Sequence, residues 1–314
     1  MRYLARRLAE VIPTVLGIAV VTFLILRLLP GDPAAFIAGD SIGEAELAAV
    51  RERLGLNQPL PQQLADYLKG AVTLDFGASI FTNIPVRTLL FRALPVTLAI
   101  AAGSMLLGTL IAVPLGSLTA YSGWRGKRLR DQAVTGFAMA IDQIPSFWLG
   151  LVFMLVFVLQ LGWFPATGPV NWDDPGGVLL RLLPAILILT TGQVAKILRL
   201  TRASVSEVLD EDYIRTAVAL GASGMSTLFT QATRNGLLPV VTALGLSFGQ
   251  LLGGTVILES IFALPGMGTL LVNGINSRDY PIVQGVVFLY GLLFVLTNLL
   301  TDLSYRRIDP RVRF

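Results

Sequence analysis

Six long apolar stretches constrain this chain more than any other feature of its sequence. Each contains about 20 residues or more, the length that a helix needs to cross the hydrocarbon core of a bilayer. Only 14% of all residues are charged, whereas soluble domains contain about 25%. The first stretch lacks an A-x-A cleavage site, so we interpret it as a signal anchor rather than a signal peptide. We therefore predict an all-α, polytopic membrane protein with six transmembrane helices: Val11–Leu29, Ala93–Tyr121, Ala133–Leu161, Leu182–Val205, Leu237–Leu258 and Ile282–Thr301.

The basic residues predict the orientation of these helices. Sixteen of the 24 lysines and arginines fall on one side of the six-span arrangement, which the positive-inside rule makes the cytoplasm. Both termini are therefore predicted to be cytoplasmic. This orientation divides the chain into a tail with the first helix (1–30), an extracytoplasmic segment (31–92), a five-helix core (93–304) and a cytoplasmic tail (305–314).

The composition also excludes several kinds of chemistry. The chain has no cysteine, which rules out disulfides, thiolate catalysis and Cys-ligated metals. It has no histidine either, so the usual general base and the commonest metal ligand are absent. No G-x-x-x-x-G-K-[ST] motif occurs, so the chain has no phosphate-binding loop of that kind. We predict neither catalytic residues nor a metal site in this chain.

The extracytoplasmic segment contains two candidate helices and a loop. Ser41 and Glu44 are spaced as a capping box at the start of the first helix. The second covers "LPQQLADYLKGAV" and is predicted to end near Gly70, and "LDFGASIFTNIPV" is predicted to be a loop. Two interpretations stay open for this segment: a small helical cap that covers loop ends, or a part that gates or docks a partner.

The cytoplasmic loop 206–236 is polar within an otherwise apolar chain. The stretch "SEVLDEDYIRTAVALG" is predicted to form one helix that ends at Gly221, where a left-handed residue suits glycine. Ser223 is a candidate N-cap for a second helix of residues 225–235, and Pro239 then falls in the first turn of the fifth span. Two helices joined by a tight turn suit the transmission of force from a soluble partner. An amphipathic connector that lies on the membrane surface is the equal alternative.

Polar and helix-breaking residues within the predicted spans are candidates for a polar path through the membrane. A charged Asp142 near the bilayer centre would cost about 3 kcal/mol if it were unpaired. Because Lys196 reaches a comparable depth, we predict an Asp142–Lys196 pair or near-pair inside the bundle and favour a structural role over direct ligand contact. The full candidate set is Asp142, Gln143, Pro145, Gln193, Lys196, Gln250 and Glu259.

Three of these candidates carry more specific expectations. Pro145 predicts a kink in the third span that lets Gln143 and Ser146 line the path, and a static kink is the alternative. Glu259 ends the fifth span, so we expect it either to reach water or to pair with Arg278 across the following external loop.

A resemblance to a known family rests on several stretches together. The pattern Thr216-Ala217, Gly221 and Leu238-Pro239 resembles the EAA loop of ABC importer permeases. Arg215 holds the family's Glu position, and Thr216 holds its first Ala, a variant that resembles the peptide-transporter branch. The stretches "RYLARRLAEVIPTVLGIAVVTFLILRLLPGDPA", "IPSFWLGL", "ESIFALPGMGTLL" and "RDYPIVQGVVFLYGLLFVLTNLLTDLSYRRIDPRVR" occur in the order of that branch. The chain is similar to the first of the two permease subunits of dipeptide/oligopeptide ABC importers.

The resemblance implies a fold, partners and a contact surface. The fold is that of a type I ABC importer permease in the bacterial plasma (inner) membrane, in contact with lipid and without nucleic acid. The implied partners are a second homologous permease subunit, two ATP-binding subunits that hold ATP and Mg, and an extracytoplasmic solute-binding protein, with no cofactor on this chain. Coupling to the ATPase is implied for Arg215, Thr216, Ala217, Gly221, Ala222, Ser223, Leu238 and Pro239.

Three other classes of membrane protein are weaker interpretations of the same sequence. A secondary transporter would usually show two related halves and several intramembrane ionisable groups, and we find no internal repeat. An intramembrane protease that uses paired aspartates would need a second deep Asp beside Asp142. A structural scaffold is argued against mainly by the family resemblance. The ligand stays open, because relatives in this branch carry dipeptides, oligopeptides, glutathione, nickel chelates and some oligosaccharides.

Overall fold

The computed structural model describes residues 2–28, 48, 51–52, 57–166, 168 and 170–308 of the 314-residue chain. The candidate capping box of Ser41 and Glu44 lies outside these residues. The described part confirms the all-α prediction, because its β-structure is limited to one isolated bridge between Ala78 and Pro85. The helices are α1 (Arg2–Leu28), α2 (Leu60–Thr73), α3 (Val86–Trp124), α4 (Arg128–Asp142), α5 (Ser146–Phe153), α6 (Pro175–Leu209), α7 (Asp212–Ala219), α8 (Gly224–Thr227), α9 (Leu238–Ile261), α10 (Met267–Asn276) and α11 (Tyr280–Ile308).

Each of the six predicted spans overlaps one or more of these helices. By length and composition, α3, α6, α9 and residues Tyr280–Thr301 of α11 can each cross a membrane. Helix α5 continues as a π-helix over Met154–Gln160. Together with α4, this continuous segment is also long and apolar enough to cross a membrane. Helix α1 contains residues 11–28 of the first predicted span.

The third predicted span, Ala133–Leu161, is wrong in form. We expected one helix with a kink at Pro145, but α4 and α5 meet at a bend of 83°. Pro145 has φ −59° and ψ 132°, an extended conformation in which the chain leaves the helix completely before Ser146 starts α5. Proline has no N–H for a helical hydrogen bond and disfavours helical geometry in the preceding residue, so a full break is the larger consequence of the same signal.

The chain divides into two compact units. The first comprises Met1–Pro95 and Pro265–Leu296. Its core packs the start of α3 against α10 and α11, with Val86, Met267 and Val286 fully buried. In the same unit, Ser79 Oγ donates to Asp279 Oδ2 at 2.6 Å, and this buried bond holds the loop after α2. Helix α2 ends at Thr73, three residues beyond the predicted end, and the predicted loop follows it.

The second unit comprises Val96–Leu264 and Thr297–Phe314. Helix α6 lies at its centre and packs against α4, α5 and α9. One buried cluster in this unit contains Ala195, Ile197 and Leu198 of α6 together with Val240 of α9. The polar residues that we singled out within the predicted spans, Asp142 to Glu259, all belong to this unit.

Candidate functional site

A pocket of about 450 Å³ lies within the second unit, between the α4–α5 bend, α6 and α9. A volume in this range is typical of small-molecule sites. Five of the seven residues predicted for a polar path line it together. Its polar lining consists of Asp142, Ser146, Thr191, Gln193, Lys196, Arg199, Ser247 and Gln250. Asp142, Pro145, Gln193, Lys196 and Gln250 therefore line one cavity, and their part in a translocation path stays a prediction.

The predicted ion pair within this pocket is wrong in its partner. Asp142 pairs with Arg199, with 3.3 Å between Oδ2 and Nη2, rather than with Lys196. Lys196 instead donates from Nζ to Gln250 Oε1 at 2.7 Å. Asp142 is the last residue of α4, and its carboxylate lies beside α6, since a Cβ at Gly192 would be in ordinary contact with Oδ1 at 3.7 Å. The position of each residue along its span indicates that Asp142 and Lys196 lie at a similar depth. It does not determine whether Lys196 or Arg199 pairs with the carboxylate.

Two buried side chains in the pocket wall have polar atoms without a protein partner among the described residues. Gln193 is 5% exposed and Ser247 is 1% exposed. Neither Gln193 Nε2 nor Ser247 Oγ makes a hydrogen bond to a described protein atom. Leaving a buried donor unmet costs about 1–3 kcal/mol, so such groups usually mark a place where water or a ligand binds. Gly108 of α3 makes room for Gln193, because a Cβ at that position would lie 3.0 Å from Gln193 Cγ.

Two residues of the predicted path lie outside this pocket. Gln143 is exposed and is not part of the pocket lining. Glu259 is 0% exposed and accepts a hydrogen bond from Thr97 Oγ1 at 2.7 Å, so the expectation that it reaches water is wrong. The hydroxyl of Thr97, which is itself fully buried, offsets part of the cost of removing a carboxylate from water. Pairing of Glu259 with Arg278 stays a prediction.

The sequence interpretation missed three polar members of the pocket: Thr191, Arg199 and Ser247. Ser247 lies three residues before Gln250 on α9, and this spacing places both on one face of a helix. We counted Arg199 only as one of the cytoplasmic basic residues, although it lies one turn beyond Lys196. Helical spacing from the residues already singled out would have found Ser247 and Arg199.

A second candidate site is the segment of residues 210–239, here called the coupling segment. The predicted single helix over "SEVLDEDYIRTAVALG" is wrong, because α6 ends at Leu209 and α7 starts only at Asp212. The predicted turn is confirmed: Gly221 has φ +94°, and Ala222 N donates to Ala217 O at 3.1 Å. Ser223 caps α8 through its side-chain oxygen, which accepts from Ser226 N at 3.2 Å.

The coupling segment continues without a break into the membrane. Helix α8 runs into a π-helical turn, Leu228–Thr233, and a final helical turn, Arg234–Gly236. Pro239 lies in the first turn of α9, directly after Leu238, as the sequence predicts. Asn235 Nδ2 donates to Tyr213 Oη at 2.9 Å, so the two arms of the segment are joined across the turn.

The inner face of the coupling segment is anchored to two long helices. Ile214, Leu228 and Ala232 are fully buried and pack with Val205 of α6 and Ala120 of α3. Its outer face carries exposed apolar side chains among exposed polar ones, with exposed fractions of 85% for Leu220, 48% for Met225 and 42% for Phe229. Among the residues for which an ATPase contact was implied, Arg215 lies on this exposed side and pairs loosely with Asp212 at 3.8 Å.

Family comparison matches nearly the whole chain. The family described as "Binding-protein-dependent transport system inner membrane component" matches residues 112–314. The corresponding N-terminal family, "Binding-prot-dependent transport system membrane comp, N-term", matches residues 1–101. The two matches together cover both the pocket and the coupling segment.

Curated relatives are similar over their full length. The probable peptide ABC transporter permease protein y4tP of Sinorhizobium fredii is 41% identical over 314 residues, which cover 99% of each chain. A putative peptide transport system permease protein of Brucella abortus is 41% identical over 98% of each chain. The glutathione transport system permease protein GsiC of Salmonella typhimurium is 39% identical, over 100% of this chain and 99% of that one.

Solved structures support the fold. Inward-facing MetNI methionine ABC transporter matches with a TM-score of 0.58 at 20% identity, over 70% of this chain and 96% of that chain. An amino acid ABC transporter, solved with histidines, matches with a TM-score of 0.52 at 16% identity, over 70% and 94%. At these identities the likeness concerns the fold alone, and it agrees with the predicted type I importer permease architecture.

Proposed function

The chain belongs to the binding-protein-dependent transport system inner membrane component family, and we propose that it imports peptides or similar small solutes as one permease subunit of an ATP-driven transporter. In this role it forms half of the translocation pathway. As a transport permease it is not an enzyme by itself. The peptide and glutathione systems named among its relatives motivate the proposed class of ligand.

The observation that carries the proposal is the construction of the coupling segment. Its inner face is buried against α3 and α6, and Pro239 joins it directly to α9. A force that a partner applies to its outer face is therefore transmitted to α3, α6 and α9 together, because packed cores move as rigid elements rather than deform continuously. The exposed Leu220, Met225 and Phe229 provide the apolar surface that a soluble partner would bury.

The proposed transporter needs partner subunits that bind ATP, because this chain has no motif for doing so. It has no phosphate-binding loop, so ATP and Mg would bind to two separate ATPase subunits. A second, homologous permease would supply the other half of the pathway, and an extracytoplasmic solute-binding protein would deliver the ligand. ATP binding would close the two ATPase subunits, move the coupling segments and open the permease pair outward, and hydrolysis would reset it.

The orientation proposed from the sequence fits this cycle. The coupling segment and both termini would face the cytoplasm, where the ATPases lie, and segment 31–92 would face the solute-binding protein. The pocket between α4, α6 and α9 would then be a binding site on the translocation path between the extracytoplasmic and cytoplasmic sides of the membrane.

The experiment uses the absence of native cysteine in this chain. Leu220→Cys places a thiol on the outer face of the coupling segment, and Leu129→Cys is a matched control, because these leucines are 85% and 84% exposed. We expect a short thiol cross-linker in native membranes to join Leu220→Cys, but not Leu129→Cys, to an ATPase subunit. Uptake of a labelled peptide into proteoliposomes of the complex should require ATP inside the vesicles, on the side of the ATPase subunits, and survive ionophores. Cross-linking of neither variant, with uptake abolished by ionophores, would favour a secondary transporter.

A further inference from the structure

We propose that the pocket between α4, α6 and α9 binds a carboxylate of the transported ligand, with Lys196 as the cationic partner. The inference rests on the proposed function, since it names the ligand group that this pocket would take. The pocket is lined by three charged side chains, those of Asp142, Lys196 and Arg199. Asp142 and Arg199 neutralise each other across 3.3 Å. Lys196 forms no ion pair within 4.0 Å among the described residues, so the remaining charge is positive.

The hydrogen bond of Lys196 leaves that charge available. Its ammonium group has three donors, and one of them is used by Gln250 Oε1 at 2.7 Å. Gln250 is neutral, so it orients the ammonium group without cancelling its charge. Two donors therefore remain for an arriving acceptor, and a charge-assisted bond of this kind is about twice as strong as one between neutral groups.

The two unpartnered groups of the pocket wall flank this bond. Gln193 precedes Lys196 by three residues on α6, and Ser247 precedes Gln250 by three residues on α9. Each spacing is nearly one helical turn, or about 4.5 Å along the helix. Because Gln193 Nε2 and Ser247 Oγ are both able to donate, the pocket lining combines two neutral donors with one cation, Lys196, that has no ion-pair partner among the described residues.

This set of groups matches a carboxylate better than it matches other parts of a peptide. An ionised carboxylate only accepts hydrogen bonds and has about four acceptor sites. A ligand ammonium group would meet Lys196 as a like charge, and a neutral amide would leave the lysine without compensation. The carboxylate can come from the C-terminus of a peptide or from an acidic side chain, and the chemistry of the pocket suits both.

The test measures the charge preference of the pocket by thiol labelling. Thr191 lines the pocket, and its hydroxyl donates only locally, to Ile188 O, so Thr191→Cys introduces a probe without removing a proposed ligand contact. Thr73→Cys on α2 is the exposed aqueous control, and its hydroxyl also bonds only to its own helix. The complex with its partner subunits is labelled in detergent with an anionic sulfonatoethyl or a cationic trimethylammonium-ethyl methanethiosulfonate, and labelling is measured on the isolated chain by mass spectrometry.

We expect the anionic reagent to be preferred at Thr191→Cys by about tenfold relative to Thr73→Cys, as a focused positive potential in a cleft would produce. Adding Lys196→Gln should reduce the ratio to about one, whereas Lys196→Arg should keep it. Equal preferences at the two thiols, or a preference that survives Lys196→Gln, would overturn the proposal.

A second measurement leaves the charged residues unchanged, so it holds even if Lys196→Gln misfolds. Labelling of Thr191→Cys is repeated with Ala-Ala-Ala, Ala-Ala-Ala-amide or Ala-Glu-Ala-amide. If only Ala-Ala-Ala slows the labelling, the pocket binds the C-terminal carboxylate. If Ala-Ala-Ala and Ala-Glu-Ala-amide both slow it, the pocket binds carboxylates in general, since each of these two peptides carries one. Equal protection by Ala-Ala-Ala-amide, or protection by none of the three, contradicts the inference.

Failure of the inference and failure of the proposed function give different results. Charge preference needs no ATP, so it can be present in a complex that does not import peptide. ATP-dependent uptake without a charge preference would reject the carboxylate site alone. A charge preference in a chain whose uptake follows an ion gradient would reject the ATP-driven importer and leave the site in place.

Discussion

At the scale of single residues, Glu259 shows how a carboxylate is kept inside the membrane-spanning part of the chain. Glu259 and Thr97 are both 0% exposed, and their side chains are joined at 2.7 Å. We expect Thr97→Val, which keeps the shape but removes the hydroxyl, to lower the free energy of unfolding by about 2 kcal/mol. Thermal unfolding of the purified chain in detergent measures the loss.

The same helix provides a control for this substitution. Thr109 of α3 donates only to the backbone oxygen of Met105, at 2.7 Å, so Thr109→Val removes a hydroxyl without exposing a buried charge. Thr97→Ser should retain most of the stability. If Thr97→Val and Thr109→Val unfolded at the same temperature, the hydroxyl of Thr97 would have no part in stabilising Glu259.

Two ion pairs on α6 allow a second prediction at this scale. Arg202 binds both oxygens of Asp131, whose side chain is 10% exposed, while Arg199 binds Asp142, whose side chain is 28% exposed. Removing one partner of a buried pair costs about 3 kcal/mol or more, whereas an accessible pair contributes about 1 kcal/mol or less. We therefore expect Arg202→Ala to lower the unfolding temperature clearly more than Arg199→Ala. Equal losses would contradict the assignment of Arg202–Asp131 as the structural pair.

The sequence indicates that Asp142 and Lys196 lie near each other, but it does not indicate that Asp142 pairs with Arg199. Asp142 and Lys196 were placed together because the count of residues into each span gives depth at 1.5 Å per residue. Rotation about the helix axis decides which neighbour faces a carboxylate, and it depends on packing that one sequence does not contain. Gly108 contributes to that packing here, because a Cβ at this position would lie 3.0 Å from Gln193 Cγ, and the sequence alone gives no reason to connect the two residues.

At the scale of helices, the turn in the coupling segment should matter for coupling more than for folding. Gly221 has φ +94° and a Cβ would meet no atom within 4 Å, so the only cost of Gly221→Ala is backbone strain of about 1–2 kcal/mol. We expect this variant to lower ligand-stimulated ATP hydrolysis by the reconstituted complex severalfold, because the relative angle of α7 and α8 changes.

Gly126 provides a matched control for the turn. It has φ +79°, also with open space around its Cβ, but it lies between α3 and α4. Gly126→Ala should cause a similar loss of stability and leave stimulated hydrolysis close to the parent level. Equal loss of hydrolysis in both variants would mean that general strain, and not the geometry of the coupling segment, limits the activity.

Local signals predicted helix ends in this segment and failed where tertiary packing intervened. Glycine and serine at positions 221 and 223 specify a left-handed residue and an N-cap through their own chemistry, and both were confirmed. The break at Asp210–Glu211 carries no glycine or proline. It places Ile214 in the buried cluster with Val205 and Leu209, a requirement that becomes visible only once the helices are packed.

At the scale of the whole molecule, the placement of charge predicts the orientation of the chain in the membrane. Leu129 lies among the basic residues that follow α3, and Thr73 lies in the segment between the first two spans. In intact spheroplasts, a membrane-impermeant sulfonate thiol reagent should label Thr73→Cys and leave Leu129→Cys unlabelled. In inverted vesicles the pattern should be reversed, because sixteen basic residues hold their side in the cytoplasm.

Both positions are exposed, so access to the thiol is governed by the membrane and not by burial in the fold. Labelling both variants in detergent confirms that each thiol reacts when the bilayer is removed. Labelling of Leu129→Cys in intact spheroplasts would show that the chain has the opposite orientation to the predicted one. The coupling segment would then face away from cytoplasmic ATP, and no soluble ATPase could drive the chain through it.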